Sequence, residues 1–392
     1  MASVISITQT PTEVNLAQSP VIFTLSETSA ALLTSSSYQY VLELTYWTGS
    51  KTSPAETTTY TLLKYPNASE KGIFDVSRVL SSTFTDLVAE NSSSALYFSV
   101  DTYAQYKNNP TGSFLTGSHV ASSTYTAIDG YQLFQESVGA DISTLTDYWP
   151  ILTDGPVSQS YLSSNIGEMS VYMGTSGASV PTRIKYTGDL GTAYFNLTAS
   201  GSTTGTEIDV FPIGPQESGF PLSTSTSEFT IQPYNVNTPL GTPIKFDLVC
   251  DKKYPNIRIK WKNRFGAFDY FNFNLVSRET FNTQRSRYQP QIGSWAGTSL
   301  SYERYESSIQ NYITDSTLKL SVNTDYVSED YNDIFKQLMV SDEIYWVYDE
   351  ANDYVRPLAI DTTSFNIKTN VVDKLIQYSF DFTQGQGYKL IF

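Results

Sequence analysis

Across residues 243–275 apolar side chains recur at every second position, a period that fits a strand and does not fit a helix. Ile244, Phe246, Leu248 and Cys250 alternate with Lys245, Asp247 and Val249, and Ile257, Ile259 and Trp261 alternate with Arg258, Lys260 and Lys262. After Asn263-Arg264-Phe265-Gly266, Phe271, Phe273 and Leu275 alternate with Asn272 and Asn274. The pattern predicts a meander of strands, each with one apolar and one largely polar face, bent at the Gly-containing stretch. Cys250 falls on the apolar face, where a buried thiol is a small inert hydrophobe.

Shorter runs of the same kind occur at 21–25, 38–46, 57–63, 95–100, 169–173, 182–186, 193–197 and 228–231, each bounded by turn residues. Regular spacing of this sort points to sandwiches or barrels. Two short helices are expected, one at 75–80 capped by Asp75 and one at 330–339. In the second, Ile334, Phe335 and Leu338 share a face behind an acidic first turn. The composition agrees: aromatics are 14% of the chain and charged residues only 16%, which suits pleated, half-buried surfaces and not disorder. The expected fold is therefore all-β, two to three β-sandwich or barrel modules with one or two short helices.

At 392 residues the chain is long enough for two or three domains. Residues 1–240 carry 7 basic and 20 acidic side chains and 241–392 carry 17 and 19, a shift that coincides with Pro233, Pro239, Gly241 and Pro243. The expected modules are an N-terminal β-sandwich at 1–138, a Ser/Thr/Gly-rich β module at 139–238, and a C-terminal β-barrel-like module with one short helix at 239–392.

A formal net charge of −15 repels phosphate and anionic lipid, so no nucleic-acid partner is expected. One cysteine excludes an internal disulfide framework, and one histidine, His119, leaves little for a zinc or copper site. No metal and no cofactor are expected. The absence of Lys or Arg before Lys51 argues against a secretory signal, and no apolar run reaches the length of a membrane span. The reading is of a protein made soluble in a cytoplasm, with the sequons at Asn67, Asn91 and Asn196 as chance matches.

Catalytic constellations are weak. Glu329, Asp330, Asn332 and Asp333, and Asp342, Glu343, Asp349, Glu350 and Asp353, lack the ligand spacing of an EF-hand, and helix-end electrostatics explain the first group. Carboxylate pairs for a glycosidase cannot be ordered from sequence. His119 has no nucleophile-elbow motif beside it, and no phosphate-binding Gly pattern is present. The remaining feature is 245–287, with ten basic residues against four acidic. It reads either as a site for phosphate, acidic glycan or a neighbouring subunit, or as a solvated hairpin face. The specific expectation is that Arg258, Lys260, Lys262 and Arg264 lie at a subunit boundary facing acidic residues of a neighbour.

Several patches carry a family resemblance. They are Thr10-Pro11, Ser19-Pro20-Val21-Ile22-Phe23, Tyr40-Val41-Leu42-Glu43-Leu44, the run 72–80, and Val210-Phe211-Pro212-Ile213-Gly214-Pro215. Further patches are 254–273, with Trp261-Lys262-Asn263-Arg264-Phe265-Gly266-Ala267-Phe268-Asp269 the most distinctive, then 327–338, 354–357 and 375–380. Together they resemble structural proteins of tailed bacteriophages infecting Bacteroidota, crAss-like phages among them. The resemblance implies a virion component of the tail, collar or baseplate, assembled in the host cytoplasm and without enzymatic activity; it supplies no catalytic residues. Its implied partners are other copies in a ring or sleeve and other virion proteins. The alternatives are a receptor-binding or head-decoration protein gripping a host surface glycan, and a carboxylate-based polysaccharide depolymerase.

Overall fold

The computed structural model describes residues 3–33, 37–52, 54, 56–84, 95–107, 111–136, 139, 141–174, 180–197, 207–223, 225–249, 254–294, 297–349, 354–369, 376–385 and 388–391. Cys250 lies outside them. The chain is all-β, with 48% of the described residues in strands and 9% helical. It divides into two compact units, Met1–Cys250 with Lys262–Asp269, and Asp251–Trp261 with Tyr270–Phe392.

The first unit opens with β1 (Ile5–Gln9), β2 (Val14–Leu16), β3 (Ile22–Glu27), helix α1 (Ala30–Leu33), β4 (Gln39–Trp47), β5 (Thr58–Lys64), β6 (Lys71–Asp75) and helix α2 (Ser77–Phe84). There follow β7 (Ala95–Tyr106), β8 (Leu115–Thr116), β9 (Val120–Ala121) and β10 (Tyr125–Ile128). These make a three-stranded sheet, β1-β3-β6, and a second sheet in the order β2-β10-β7-β4-β5 with β8 and β9 on β7. Alternation decides what they bury: Phe23 and Leu25 from the first sheet meet Tyr40, Leu42, Leu44, Phe98 and Val100 from the second, and α2 adds Leu80 and Phe84. That is a sandwich core. Asp75 works as expected at the head of α2, its Oδ1 accepting the Ser77 N–H at 3.0 Å and also the Val21 N–H at 3.2 Å.

The same unit continues through β11 (Ser158–Leu162), β12 (Glu168–Tyr172), β13 (Arg183–Gly188), β14 (Gly191–Asn196), β15 (Ile208–Pro212), β16 (Glu228–Asn235), β17 (Thr238–Pro239) and β18 (Ile244–Val249). The third sheet runs β11-β18-β16-β13-β14 with β17 on β16, and β12 pairs with β15. Among the described residues no ladder joins strands before residue 138 to strands after it. Beyond residue 239, β18 pairs parallel with β11 and antiparallel with β16. The apolar face of β18 explains this: Phe246 stacks on Phe229 at 5.0 Å, so the sheet carries the unit past the Pro/Gly-rich stretch. A second apolar cluster gathers Val14, Leu16, Trp47, Tyr97 and Ile128 with Ile142, Leu152, Tyr172 and Ile208, and includes Phe265 and Ala267. Since Leu96 and Phe98 face the sandwich while Ala95 and Tyr97 face this cluster, β7 is buried on both sides.

The second unit contains β19 (Ile257–Lys262) up to Trp261, β20 (Phe268–Phe273) from Tyr270, β21 (Arg278–Tyr288), β22 (Gln310–Asn323), helix α3 (Asn332–Val340), β23 (Ile344–Asp349), β24 (Tyr354–Ile360), β25 (Ser379–Gln384) and β26 (Tyr388–Ile391). Their order is β20-β19-β23-β24-β25-β22-β21, with β26 also on β22, so among the described residues the sheet runs open from β20 to β21. One face is covered by α3, whose Ile334, Phe335 and Leu338 pack with Ile259, Trp261, Phe273, Val322, Phe380 and Phe382. A covering helix removes the need for barrel closure on that face. The bend expected at 263–266 is present: the Gly266 N–H reaches the Asn263 carbonyl at 3.0 Å and the Asn263 N–H the Ala267 carbonyl at 2.7 Å.

Trp261 is 0% exposed, and its indole N–H has no hydrogen-bond partner among the described residues. Trp261→Ala is expected to cost about 3 to 5 kcal/mol in urea denaturation, the range for a buried large aromatic. Trp261→Phe keeps most of the apolar volume and removes the buried donor, so its cost is expected to stay below about 1.5 kcal/mol.

Candidate functional site

The most distinctive sequence patch builds a buried polar knot inside the first unit. Asn263 organises the bend: its Oδ1 accepts the N–H groups of Phe265 at 3.0 Å and Ala267 at 3.1 Å, while its Nδ2 donates to the Leu152 carbonyl at 2.9 Å and Asp269 Oδ2 at 3.0 Å. Asp269 is completed by the Thr153 hydroxyl at 2.8 Å. Two glycines let the backbones touch. A Cβ on Gly130 would lie 2.1 Å from the Arg264 carbonyl oxygen, and one on Gly266, whose φ is +74°, would lie 2.4 Å from that of Asp129. The Arg264 carbonyl accepts the Tyr131 N–H at 2.8 Å across this contact.

Two of the four expected interface residues belong to the knot. Arg264 donates from Nε to Asp154, from Nη1 to Glu136 and from Nη2 to the Leu145 carbonyl at 2.8 Å. Burial works against its charge, and the two carboxylates more than offset that and hold the guanidinium protonated. Lys262 pairs with Asp129. The acidic residues expected on a neighbouring subunit are thus supplied, for these two, by the chain itself.

Arg258 and Lys260 are each 1% exposed, in the second unit. Arg258 Nη1 donates to Asn272 Oδ1 at 3.1 Å with its guanidinium 4.7 Å from the Tyr270 ring centre, and the Lys260 ammonium lies 5.7 Å from the Tyr345 ring. The four side chains expected at a subunit boundary thus have these neighbours within the chain: carboxylates for Lys262 and Arg264, Asn272 and Tyr270 for Arg258, and Tyr345 for Lys260. Strand alternation correctly separates their face from that of Trp261, but β19 is covered on both faces, so the polar one is not a surface.

Other titratable groups gather elsewhere in the first unit. Glu207, 3% exposed, accepts from Thr126 at 2.7 Å and Tyr172 at 2.9 Å and pairs with Lys51 at 3.0 Å. Burial raises the Tyr97 and Tyr172 phenols well above their ordinary value, with the Glu207 charge adding to it. This arrangement satisfies a buried carboxylate, whose partners among the described residues are Thr126, Tyr172 and Lys51. His119 Nδ1 lies 2.6 Å from Asp101 Oδ2 and its ring 4.4 Å from that of Tyr103, on an exposed face. Among the described residues no hydroxyl bonds the ring, and no three acidic, His or Cys side chains converge as for a metal. At the head of α3, Asp333 pairs with Lys336 at 2.7 Å and Asp330 accepts from Ser328.

What the sequence did not reveal is a surface. In β21 every residue is exposed except Thr283 and Ser286, which are half-buried, and in β22 Gln310, Asn311 and Tyr312 are exposed as well. The ladder between the two strands extends over eleven register pairs, from Arg278↔Ser321 to Tyr288↔Gln310. Tyr288 and Tyr312 meet edge to face at 6.3 Å, and Arg287 Nε donates to Asn311 Oδ1 at 3.1 Å. At the foot of the ribbon a cleft of about 220 Å³ is floored by Ile257, Val276 and Leu320 and rimmed by Glu279. A run such as 278–288 has no apolar face and so produces no period-two signal; its length without Gly or Pro is the clue it does carry.

Two outcomes follow from the knot. Arg264→Ala strands two carboxylates and is expected to cost about 3 kcal/mol in chemical denaturation, whereas a solvated hairpin face would show almost no change. Asp269, driven up by burial and by neighbouring Asp154 against the bonds from Asn263 and Thr153, moves from 3.8 to about 7. Below 3.8 the folded and unfolded chains both hold this proton, and between there and about 7 only the fold keeps it. Its contribution to stability therefore falls as pH rises through that window and levels off above it. Glu27 acts in the opposite sense: burial would raise it, but bonds from Ser3, Ser29, Val4 and Tyr38 hold it below its ordinary value. The readout is thus the difference between wild type and Asp269→Asn in urea melts at pH 5 and pH 7.5, with the wild type losing stability relative to the variant.

Compared with known proteins, the chain matches no protein-family description and no curated protein.

Proposed function

We propose that this chain is a non-enzymatic structural protein of a tailed-phage virion, a repeated subunit of the tail, collar or baseplate. The observation that carries the reading is the β21–β22 ladder, long, with β21 exposed on both faces and bearing the exposed aromatics Phe281 and Tyr288, suited to packing against another chain. The resemblance of residues 254–273 to phage structural proteins supports it. A low charged fraction with many tyrosines suits broad, hydrogen-bonded protein contacts.

One observation favours a second reading: Tyr302 and Tyr305 are 64% and 85% exposed between the ribbon strands, as residues that stack on a glycan would be. Mass spectrometry of gradient-purified particles of the encoding phage, with antibody labelling in electron micrographs, tests the first. The expected result is many copies per particle and label at neck or tail; particles without the chain overturn it. Glycan-array binding lost in Tyr302→Ser/Tyr305→Ser would move the assignment to receptor binding.

A further inference from the structure

We infer that the β21–β22 ribbon is the arm by which one copy of this chain grips the next, with β21 laid against an acidic face of a second copy; the inference rests on the reading as a repeated subunit. A strand normally hides at least one face. β21 exposes both along eleven residues, about 36 Å at roughly 3.3 Å per residue. It is the end strand of its sheet, pairing with β22 alone among the described strands. Such an edge invites another chain unless it is blunted, most often by lysine or proline. Here the charged residues are Arg278, Glu279, Arg285 and Arg287, with Tyr288 beside them at 46% exposure, and arginine and tyrosine are residue types that interfaces favour. β22 is held on its other side by β25 and β26, so β21 is anchored in the sheet while both of its own faces stay open. Covering both faces of a strand this long buries on the order of the 800 Å² per partner found in stable interfaces.

Charge selects the occupant. Residues 278–323 carry five basic and four acidic side chains, net +1, while the rest of the chain carries 19 and 35, net −16. β21 alone is +2, with three arginines and one glutamate. Symmetric pairing of β21 with its own copy sets two positive strands together. Docking on another face of a second copy brings +2 toward a strongly acidic body, and such a head-to-tail contact repeats into a ring or sleeve.

The test places the photo-reactive residue p-benzoylphenylalanine at Tyr288, and at Tyr194 as a control, in the full chain, irradiated in assembled particles and as purified protein over a concentration series. Expected is a product of twice the chain mass from position 288, with both halves from this chain. Its yield is expected to fall about tenfold or more in Arg285→Glu/Arg287→Glu, and on raising salt from about 0.1 M to about 1 M. Circular dichroism checks that the reversal is folded, and Arg285→Gln/Arg287→Gln should fall between it and wild type. Cross-linking only to a different protein, a yield unchanged by reversal, or no product from particles that contain the chain overturns the arm. If particles lack the chain, the virion reading falls separately, and the purified protein still decides: a self-product that reversal abolishes keeps the arm, and none removes it.

Discussion

The interior of the first unit depends on one buried cation. Arg264 can lie 5% exposed only because Asp154, Glu136 and the Leu145 carbonyl surround it, since an unpaired buried charge costs more than most single side chains contribute. Its neighbours in sequence, Phe265 and Ala267, belong to the apolar cluster that also holds Tyr97, Ile128, Leu152 and Ile208. Apolar burial draws the bend inward and the cation goes with it. The carboxylates then have to be where they are, and the Gly130 and Gly266 backbones must approach within a distance that no Cβ permits.

That arrangement changes the meaning of the charge pattern. The basic stretch at 245–287 looks like one surface patch in a row of letters, but the fold sorts it three ways. Lys245 stays outside and pairs with Glu228 and Asp247. Arg258, Lys260, Lys262 and Arg264 turn inward. Arg278, Arg285 and Arg287 stand on the open ribbon. Among the described residues the buried charges balance, Arg258, Lys260 and Arg264 against Glu27, Glu207 and Asp269, so the outer surface keeps the acidic excess of the formula and the ribbon is the exception on it. The function proposed above follows from this contrast.

Much of the architecture was legible in residues. Short runs bounded by turn residues located β3, β4, β5, β7, β12, β13, β14 and β16, and alternation of apolar and polar residues located β18, β19 and β20. Asp75 announced α2, and Ile334, Phe335 and Leu338 announced α3 and its buried face. β21 escaped because a strand bare on both sides has no such alternation. The shared cluster at Tyr97, Tyr172 and Phe265 escaped because β7 buries both faces and its partners are far away in sequence.

The sequence by itself determined the all-β class, the short helices, the hairpin bend at Asn263–Gly266 and the apolar destiny of Trp261, since each follows from local periodicity, propensity or turn chemistry. Only the tertiary structure decided where the charges went. Lys262 finds Asp129 across 133 positions and Arg264 finds Glu136 across 128, and no local rule relates residues so far apart. Whether the polar face of a strand meets water or another layer depends on what packs against it, and that is settled when the chain closes on itself.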